Sequence, residues 1–352
     1  MSTICNPHFV YKKTFKLIEN DLFEINNAFD IYSLQKDKNK IYLCGANQFK
    51  KSILKIFEFK ENKFEKKLSL MLHKGDIKGC KYFLNKKLKK EYLVSTDSGN
   101  ISSNSIIWVI KNENIYEKIL IINNKDAIRF PFSIIFNYNK KNNQLYFIHP
   151  SSQVDSDVIS ENNKIYKKIN FTEGQILYYL IWENKNDKNY IVQCNVDYIY
   201  IYDIFNENKQ FTKIENDAIN GKNFSANILY NKDNTDILCI INENGNIVFY
   251  DLLSNQISFI YKINDDGIVN MCEFNKKYLI FLSKNGFFML FDYKNKIIIN
   301  KTGSNQLNKV KTIKMINHDI YGDYIIMGGF LTGLLLYKNI KKPINIPLKN
   351  YL

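Results

Sequence analysis

The chain has 352 residues, of which 45% are hydrophobic, 14% aromatic and 24% charged. That composition supplies a large core and excludes global disorder, and no apolar stretch approaches the roughly 20 residues that span a bilayer as a helix. The net charge is +14, yet Arg129 is the sole arginine among 49 Lys and Arg, whereas proteins that read phosphates and bases lean on the arginine fork. The same chain holds 49 Asn and 52 Ile, so a biased genome accounts for much of the lysine, and nucleic acid is not an expected partner.

The elements, in chain order, are strands. Met1 to Asn20 lacks a positive segment followed by an apolar one, so no secretory leader is expected and the protein reads as cytoplasmic, with no transmembrane segment. Phe9-Val10-Tyr11 and Thr14 to Ile18 predict an extended stretch within residues 1–20. Ile41 to Gln48 and Ile53 to Phe59 follow as strands. The next unit opens with His73-Lys74-Gly75-Asp76-Ile77, continues through Leu93-Val94-Ser95-Thr96-Asp97, and closes at Ile106-Ile107-Trp108. In WD repeats His, Ser or Thr, Asp and Trp form a hydrogen-bonded chain, so His73, Ser95, Asp97 and Trp108 are candidate structural positions. The intervening Ser98 to Ser105 is longer than a tight turn, which leaves open whether Asp97 is the turn aspartate.

Residues 128–170 carry no clear pattern and are read as a degenerate unit. Further on, Ile237 to Ile241 and Ile247 to Asp251 flank Asn244-Gly245, and Leu279 to Ser283 and Phe287 to Asp292 flank Asn285-Gly286. Asn-Gly supplies the two residues of positive φ that a type I′ hairpin needs. Val310 to Tyr337 has room for three strands.

An aromatic residue followed by a second, mostly polar one punctuates this series: Phe57-Glu58, Trp108-Val109, Tyr202-Asp203, Tyr250-Asp251, Phe291-Asp292 and Tyr337-Lys338. The second members lie 51, 94, 48, 41 and 46 residues apart. The 94 is a double step across the degenerate unit. Six steps averaging about 47 imply seven units, close to the spacing of WD-repeat blades. The expected fold is therefore all-β, a single seven-bladed WD-repeat-type β-propeller over 1–352. Its third blade falls at about 128–170, and the N-terminal strand completes the last blade and closes the ring. Asp203, Asp251 and Asp292 join the structural positions.

No catalytic, cofactor or metal site is expected. The four histidines, His8, His73, His149 and His318, fall in no HExxH motif, and no GxSxG, GxGxxG or P-loop motif is present. Asp155, Asp157 and Glu161 are close in sequence but lack the glycine and ligand order of a calcium loop. Of Cys5, Cys44, Cys80, Cys194, Cys239 and Cys272, the closest pair is 33 residues apart, and none has zinc-ligand spacing; the reading is core packing.

A narrower likeness covers Ala28 to about Ile122. Ile41-Tyr42-Leu43-Cys44-Gly45-Ala46-Asn47-Gln48, Ile53 to Phe59, and Leu72-His73-Lys74-Gly75-Asp76-Ile77 resemble the opening of the EARP and GARP complex-interacting protein family. Ile181-Trp182-Glu183 leading to Tyr198 to Ile204, and the tail Pro347 to Leu352, are similar to later segments of that family. The arginine of the family's Trp-Asp-Thr-Arg blade ends is missing at Tyr250-Asp251 and Phe291-Asp292. The resemblance implies a non-catalytic scaffold for protein partners, subunits of a multisubunit vesicle-tethering complex, in endosome-to-Golgi or recycling traffic. Peripheral association with endosomal or trans-Golgi membranes fits that role. The competing readings are a propeller subunit of a nuclear pore, coat, chromatin or ubiquitin-ligase assembly, and a basic propeller that binds nucleic acid or acidic membranes.

Overall fold

A computed structural model describes residues 27–338, apart from short stretches between strands and some side chains within them. The described residues hold 27 strands and no helix, as their Ile, Val, Tyr and Phe content favours. Segments rich in Ile, Val, Tyr and Phe, interrupted by Asn, Asp, Gly and Lys, give strands of three to ten residues, and these pair antiparallel into seven sheets.

The first sheet is β1 (Asn27–Ser33), β2 (Lys40–Ala46), β3 (Ser52–Lys60) and β4 (Lys63–Leu70). The second is β5 (Asp76–Asn85), β6 (Lys90–Ser98), β7 (Ser103–Asn112) and β8 (Ile115–Asn124). Residues 134–170 form the third: β9 (Ile134–Asn137), β10 (Leu145–Pro150), β11 (Asp155–Ser160) and β12 (Ile165–Asn170). The fourth contains β13 (Ile176–Glu183), β14 (Asn189–Asn195), β15 (Ile199–Tyr202) and β16 (Thr212–Ile214). The fifth contains β17 (Asn223–Tyr230), β18 (Asp236–Asn242), β19 (Asn246–Asp251) and β20 (Gln256–Lys262). The sixth has β21 (Ile268–Phe274), β22 (Tyr278–Ser283), β23 (Phe287–Asp292) and β24 (Ile297–Gly303). The seventh has three described strands, β25 (Val310–His318), β26 (Gly322–Gly329) and β27 (Gly333–Lys338). The extended stretch expected within residues 1–20 and the tail 347–352 lie outside the described residues.

Each sheet is a simple meander, its strands neighbouring one another in chain order. The first strands then meet in series: β1 with β5, β5 with β9, β9 with β13, β13 with β17, β17 with β21, β21 with β25, and β25 with β1. Two irregularities recur. The first strand bulges near its start in six sheets, at Ala28/Asp30, Ile77/Gly79, Ile176/Tyr178, Asn223/Ser225, Ile268/Asn270 and Val310/Thr312. The third strand shifts register against the fourth beside Phe57, Trp108, Tyr250 and Phe291. A bulge bends its strand and strengthens the twist. Repetition at one position gives successive sheets one shape and supplies a frame for comparing residues between them.

The core lies within and between sheets. Ile240, Ile241, Phe249, Phe281 and Phe291 belong to one cluster spanning the fourth to sixth sheets, with Phe249 stacked on Phe291 at 5.8 Å between ring centres and Tyr261 edge-on to Phe291 at 5.4 Å. Other seams add a hydrogen bond to their apolar packing. Ser105 Oγ meets His149 Nδ1 at 2.8 Å between the second and third sheets. Ser156 bonds the Tyr179 hydroxyl between the third and fourth, and Trp182 Nε1 donates to Asp236 Oδ2 at 2.9 Å between the fourth and fifth. Between the fifth and sixth, Gly267 lies so close beneath the Glu243 carbonyl that a Cβ there would come within 2.3 Å of its oxygen. Any side chain at 267 would therefore collide with backbone.

The Asn244-Gly245 connection is tight but differs from the expected type I′ turn. Gly245 has φ 78°, while Asn244 is not among the residues of positive φ. Gly245 N–H donates to the Asn242 carbonyl at 3.2 Å. Three residues, Glu243-Asn244-Gly245, thus connect the strands, in the arrangement of a type I turn followed by a left-handed glycine. The extra residue is accommodated because Asn242 Oδ1 accepts from the N–H groups of Asn244 and Asn246 at 3.1 and 3.0 Å. In the matching turn of the sixth sheet Ser283 Oγ accepts from Phe287 N–H at 2.9 Å; Gly286 lies outside the described residues.

Candidate functional site

The second sheet brings four of the singled-out residues together. Alternation along β6 turns Ser95 and Asp97 to one face, Leu93 pairs with Trp108 on β7, and the segment before β5 delivers His73 beside them. Asp97 Oδ2 lies 2.8 Å from His73 Nδ1, and His73 Nε2 lies 2.7 Å from Ser95 Oγ. Trp108 Nε1–H donates to the same Ser95 Oγ at 2.9 Å. Because a carboxylate only accepts, His73 Nδ1 carries a proton; in the neutral ring Nε2 accepts from Ser95, and donation runs one way from Trp108 through Ser95 and His73 to Asp97.

Asp97 is the sink of this chain and also ties two loops. Its Oδ2 accepts from the Lys74 and Gly75 N–H groups at 3.2 and 3.5 Å. Its Oδ1 accepts from Asn104 N–H at 2.8 Å and Asn104 Nδ2 at 3.0 Å. Burial raises the cost of its charge, but the hydrogen bond and charge of His73, with the two bonds from Asn104, outweigh that and hold the carboxyl below its ordinary range. β6 and β7 pair out to Ser98 and Ser103, so much of the long Ser98 to Ser105 segment is strand, and Asp97 still receives the amide of the returning strand.

Aspartate, histidine and serine in this order have the connectivity of a nucleophilic triad. The environment differs from one. The His73 and Asp97 side chains and Ser95 are all at 0% exposure, and Ser95 Oγ is engaged by the indole of Trp108. Without opening the sheet no substrate reaches the hydroxyl, and the bonded chain fixes the loop from His73 to Gly75 against β6 and β7.

The other aspartates stand apart from that chain. Asp251 Oδ1 accepts from Leu253 and Ser254 N–H at 2.8 and 3.1 Å. Asp292 Oδ1 accepts from Lys294 and Asn295 N–H, both at 3.0 Å. In each, the fourth residue after the aspartate takes positive φ, Asn255 at 55° and Lys296 at 57°. Between β5 and β6, Asn85 Oδ1 likewise accepts from Leu88 N–H, and the fourth residue after it, Lys89, takes φ 51°. These side chains satisfy turn amides that would otherwise need water. Asp203 follows β15, and its carbonyl accepts from Asn206 N–H at 3.3 Å.

Sequence reasoning missed a second polar chain. In the fourth sheet Tyr202 OH donates to Gln193 Oε1 at 3.4 Å, and Gln193 Nε2 to Asn195 Oδ1 at 3.0 Å. By register Tyr202, Gln193 and Asn195 stand where Trp108, Ser95 and Asp97 stand in the second sheet. The signal available was the spacing Gln-x-Asn ahead of an aromatic residue.

His149 is buried, and burial pushes its imidazole down to about 4. Cys194 and Cys272 are buried, and burial pushes their thiols up to about 12, away from reactivity at neutral pH. Among the described residues no group of three or more His, Cys, Asp or Glu could hold a metal ion, and no helix is long and apolar enough to cross a membrane. No protein-family model matches this chain, and no curated protein matches it.

Proposed function

We propose that the seven sheets are the blades of a WD-type β-propeller and that the protein is a non-catalytic platform for protein partners. The observation that carries this reading is the cycle of first strands, which runs through all seven sheets and returns from β25 to β1. Residues 134–170 serve as the third blade, and the extended N-terminal segment supplies the fourth strand that the last blade lacks among the described residues.

A rigid ring with loops of varied length recognises partners by shape, its ordering cost already met by the fold. The buried Asp97–His73–Ser95–Trp108 chain supports a structural use of these groups, since it locks a loop and offers no open hydroxyl. The resemblance over residues 28–122 and 181–204 directs the partner reading to subunits of a vesicle-tethering complex acting between endosomes and the Golgi.

Affinity purification of the tagged protein at physiological salt tests this. Tethering subunits in stoichiometric yield are expected. Recovery of only nuclear or ribosomal components would overturn the trafficking assignment. Negative-stain images of the purified chain test the ring itself, with seven-fold projections expected.

A further inference from the structure

The two ends of the sheets differ in chemistry. Each sheet is a meander, so the turns after its first and third strands share one end, and the turn after its second strand shares the other end with the link to the next sheet. Contacts between sheets join like ends: Asp197 Oδ1 accepts from Gly221 N–H and Lys284 approaches Glu243 at one, while Trp182 bonds Asp236 at the other.

At the end with the first and third turns, five large apolar side chains are 39% to 54% exposed: Leu88, Ile115, Ile165, Leu253 and Ile297. Three of them, Ile115, Ile165 and Ile297, are the first residue of a fourth strand, β8, β12 and β24. Exposed lysines stand between these tips, at Lys89, Lys90, Lys111, Lys277, Lys294 and Lys296. The sequence places further lysines between the same kinds of strand pair, Lys86-Lys87 and Lys140-Lys141. Among the described residues at this end, Asp236 accepts from Trp182, and Asp251 and Asp292 accept from turn amides. Glu183 and Glu117 are exposed, and Glu117 pairs with Lys111 at 3.0 Å. The opposite end exposes Glu215 and Asp217, with Lys74, Lys213, Lys262 and Lys284 among its exposed described lysines, of which Lys213 and Lys284 face Glu215 and Glu243 at 3.4 and 3.8 Å, and Met71 and Leu72 as its apolar pair.

We propose that the end carrying Leu88, Ile115, Ile165, Leu253 and Ile297 docks flat on an anionic lipid bilayer. This rests on the propeller reading above, which sets the turns of all sheets in one plane. The five tips sit on separate turns of four sheets, so a planar surface meets them together, where a peptide groove would need them contiguous. Apolar tips that enter the headgroup layer, ringed by lysines that remain at the phosphates, are the side-chain pattern of interfacial binding. Lysine suits this task better than base reading, because a bilayer asks for point charges and not for a planar fork.

Flotation of the full chain with vesicles tests the proposal. Capture by phosphatidylcholine vesicles containing about 30% phosphatidylserine, and not by phosphatidylcholine alone, is expected, with release as salt is raised. Lys90→Glu with Lys294→Glu should weaken capture roughly tenfold or more, and Leu253→Ser by roughly threefold to tenfold. Lys74→Glu with Met71→Ser, at the opposite end, should leave it unchanged. All these positions are exposed, and an unchanged melting temperature reports that each variant folds. Absence of capture, equal capture by neutral vesicles, or equal loss from the opposite-end variants would overturn the proposal. Binding to soluble polyglutamate without vesicle capture would overturn it too, assigning the face to an acidic protein segment. Electron micrographs of the same sample separate the two readings: a ring that ignores vesicles refutes only the docking, while a particle without a ring refutes the propeller beneath it.

Discussion

The second and fifth sheets solve one problem with opposite chemistry. Register equates Leu93 with Leu238, Ser95 with Ile240, Asp97 with Asn242 and Trp108 with Tyr250, and places Ile219 where the second sheet has His73. Ile219 and Ile240 are both at 0% exposure. Where one sheet joins its strands through a buried hydroxyl and imidazole, the other packs two isoleucines.

The loop ties invert as well. Asp97 accepts from the Lys74 and Gly75 amides, whereas Asn242 Nδ2 donates to the Ala218 and Asn220 carbonyls at 2.8 and 3.3 Å. Asn246 and Asn244 reinforce it, donating to those same two carbonyls at 2.9 Å each. A fixed position between two loops needs a polar side chain, and the backbone groups the loop presents decide whether it must accept or donate. Replacing a complete polar set by an apolar one is tolerable, while removing one member strands the others.

The largest test of this contrast is Trp108→Ala against Tyr250→Ala. Both remove a buried aromatic, but only the first also removes the donor to Ser95. Trp108→Ala should cost about 3–5 kcal/mol and exceed Tyr250→Ala in denaturant titrations; equal losses would mean that the polar chain contributes nothing beyond packing.

Acid should separate the polar seam from the aromatic one. His149 is held neutral at about 4 against an ordinary 6.5, so the unfolded chain binds the extra proton first. Its contribution is complete above pH 6.5 and is lost as pH falls towards 4, at about 1.4 kcal/mol per unit. Asp97, depressed below 3.8, adds a loss only at still lower pH. Unfolding titrations of His149→Gln should lack the slope between pH 6.5 and 4, while Phe249→Leu at the aromatic seam should retain it.

Exchanging the two loop ties gives the next effect. Asp97→Asn presents an amide to donors, and Asn242→Asp aims a carboxylate at two carbonyls; each should cost about 1–3 kcal/mol in thermal unfolding. If Asn242→Asp proves neutral, the donor assignment in the fifth sheet is wrong. The smallest effect is expected at Gly245, where φ of 78° makes Gly245→Ala cost about 1 kcal/mol, visible as a small shift of the denaturation midpoint.

The strands were legible because short runs rich in Ile, Val, Tyr and Phe, punctuated by Asn, Gly, Asp and Lys, leave little alternative. His73, Ser95, Asp97 and Trp108 were legible for a different reason: four polar or aromatic residue types at characteristic separations stand out against apolar runs. The fifth sheet's version was not, since Ile219 and Ile240 look like any other core isoleucine until strand register aligns them with His73 and Ser95. The turn at Gly245 was misjudged because a dipeptide suggests which residues tolerate positive φ, but loop length decides how many are needed. Asp251 and Asp292 were picked out by an aromatic neighbour, though their hydrogen bonds serve the turns that follow them.

The contact between β1 and β25 has a consequence for how the protein is made. Nearly every other pairing joins strands that leave the ribosome one after another, and such neighbours fold quickly. β1 and β25 are separated by the whole set of intervening sheets. At about 5–20 residues per second, β25 follows β1 by roughly 15 to 60 s of synthesis. Throughout that interval the flank of β1 that β25 will cover is open to other chains. The first sheet therefore stays open to misassociation until the last one emerges, and a chaperone that shields it over that interval would protect the nascent protein.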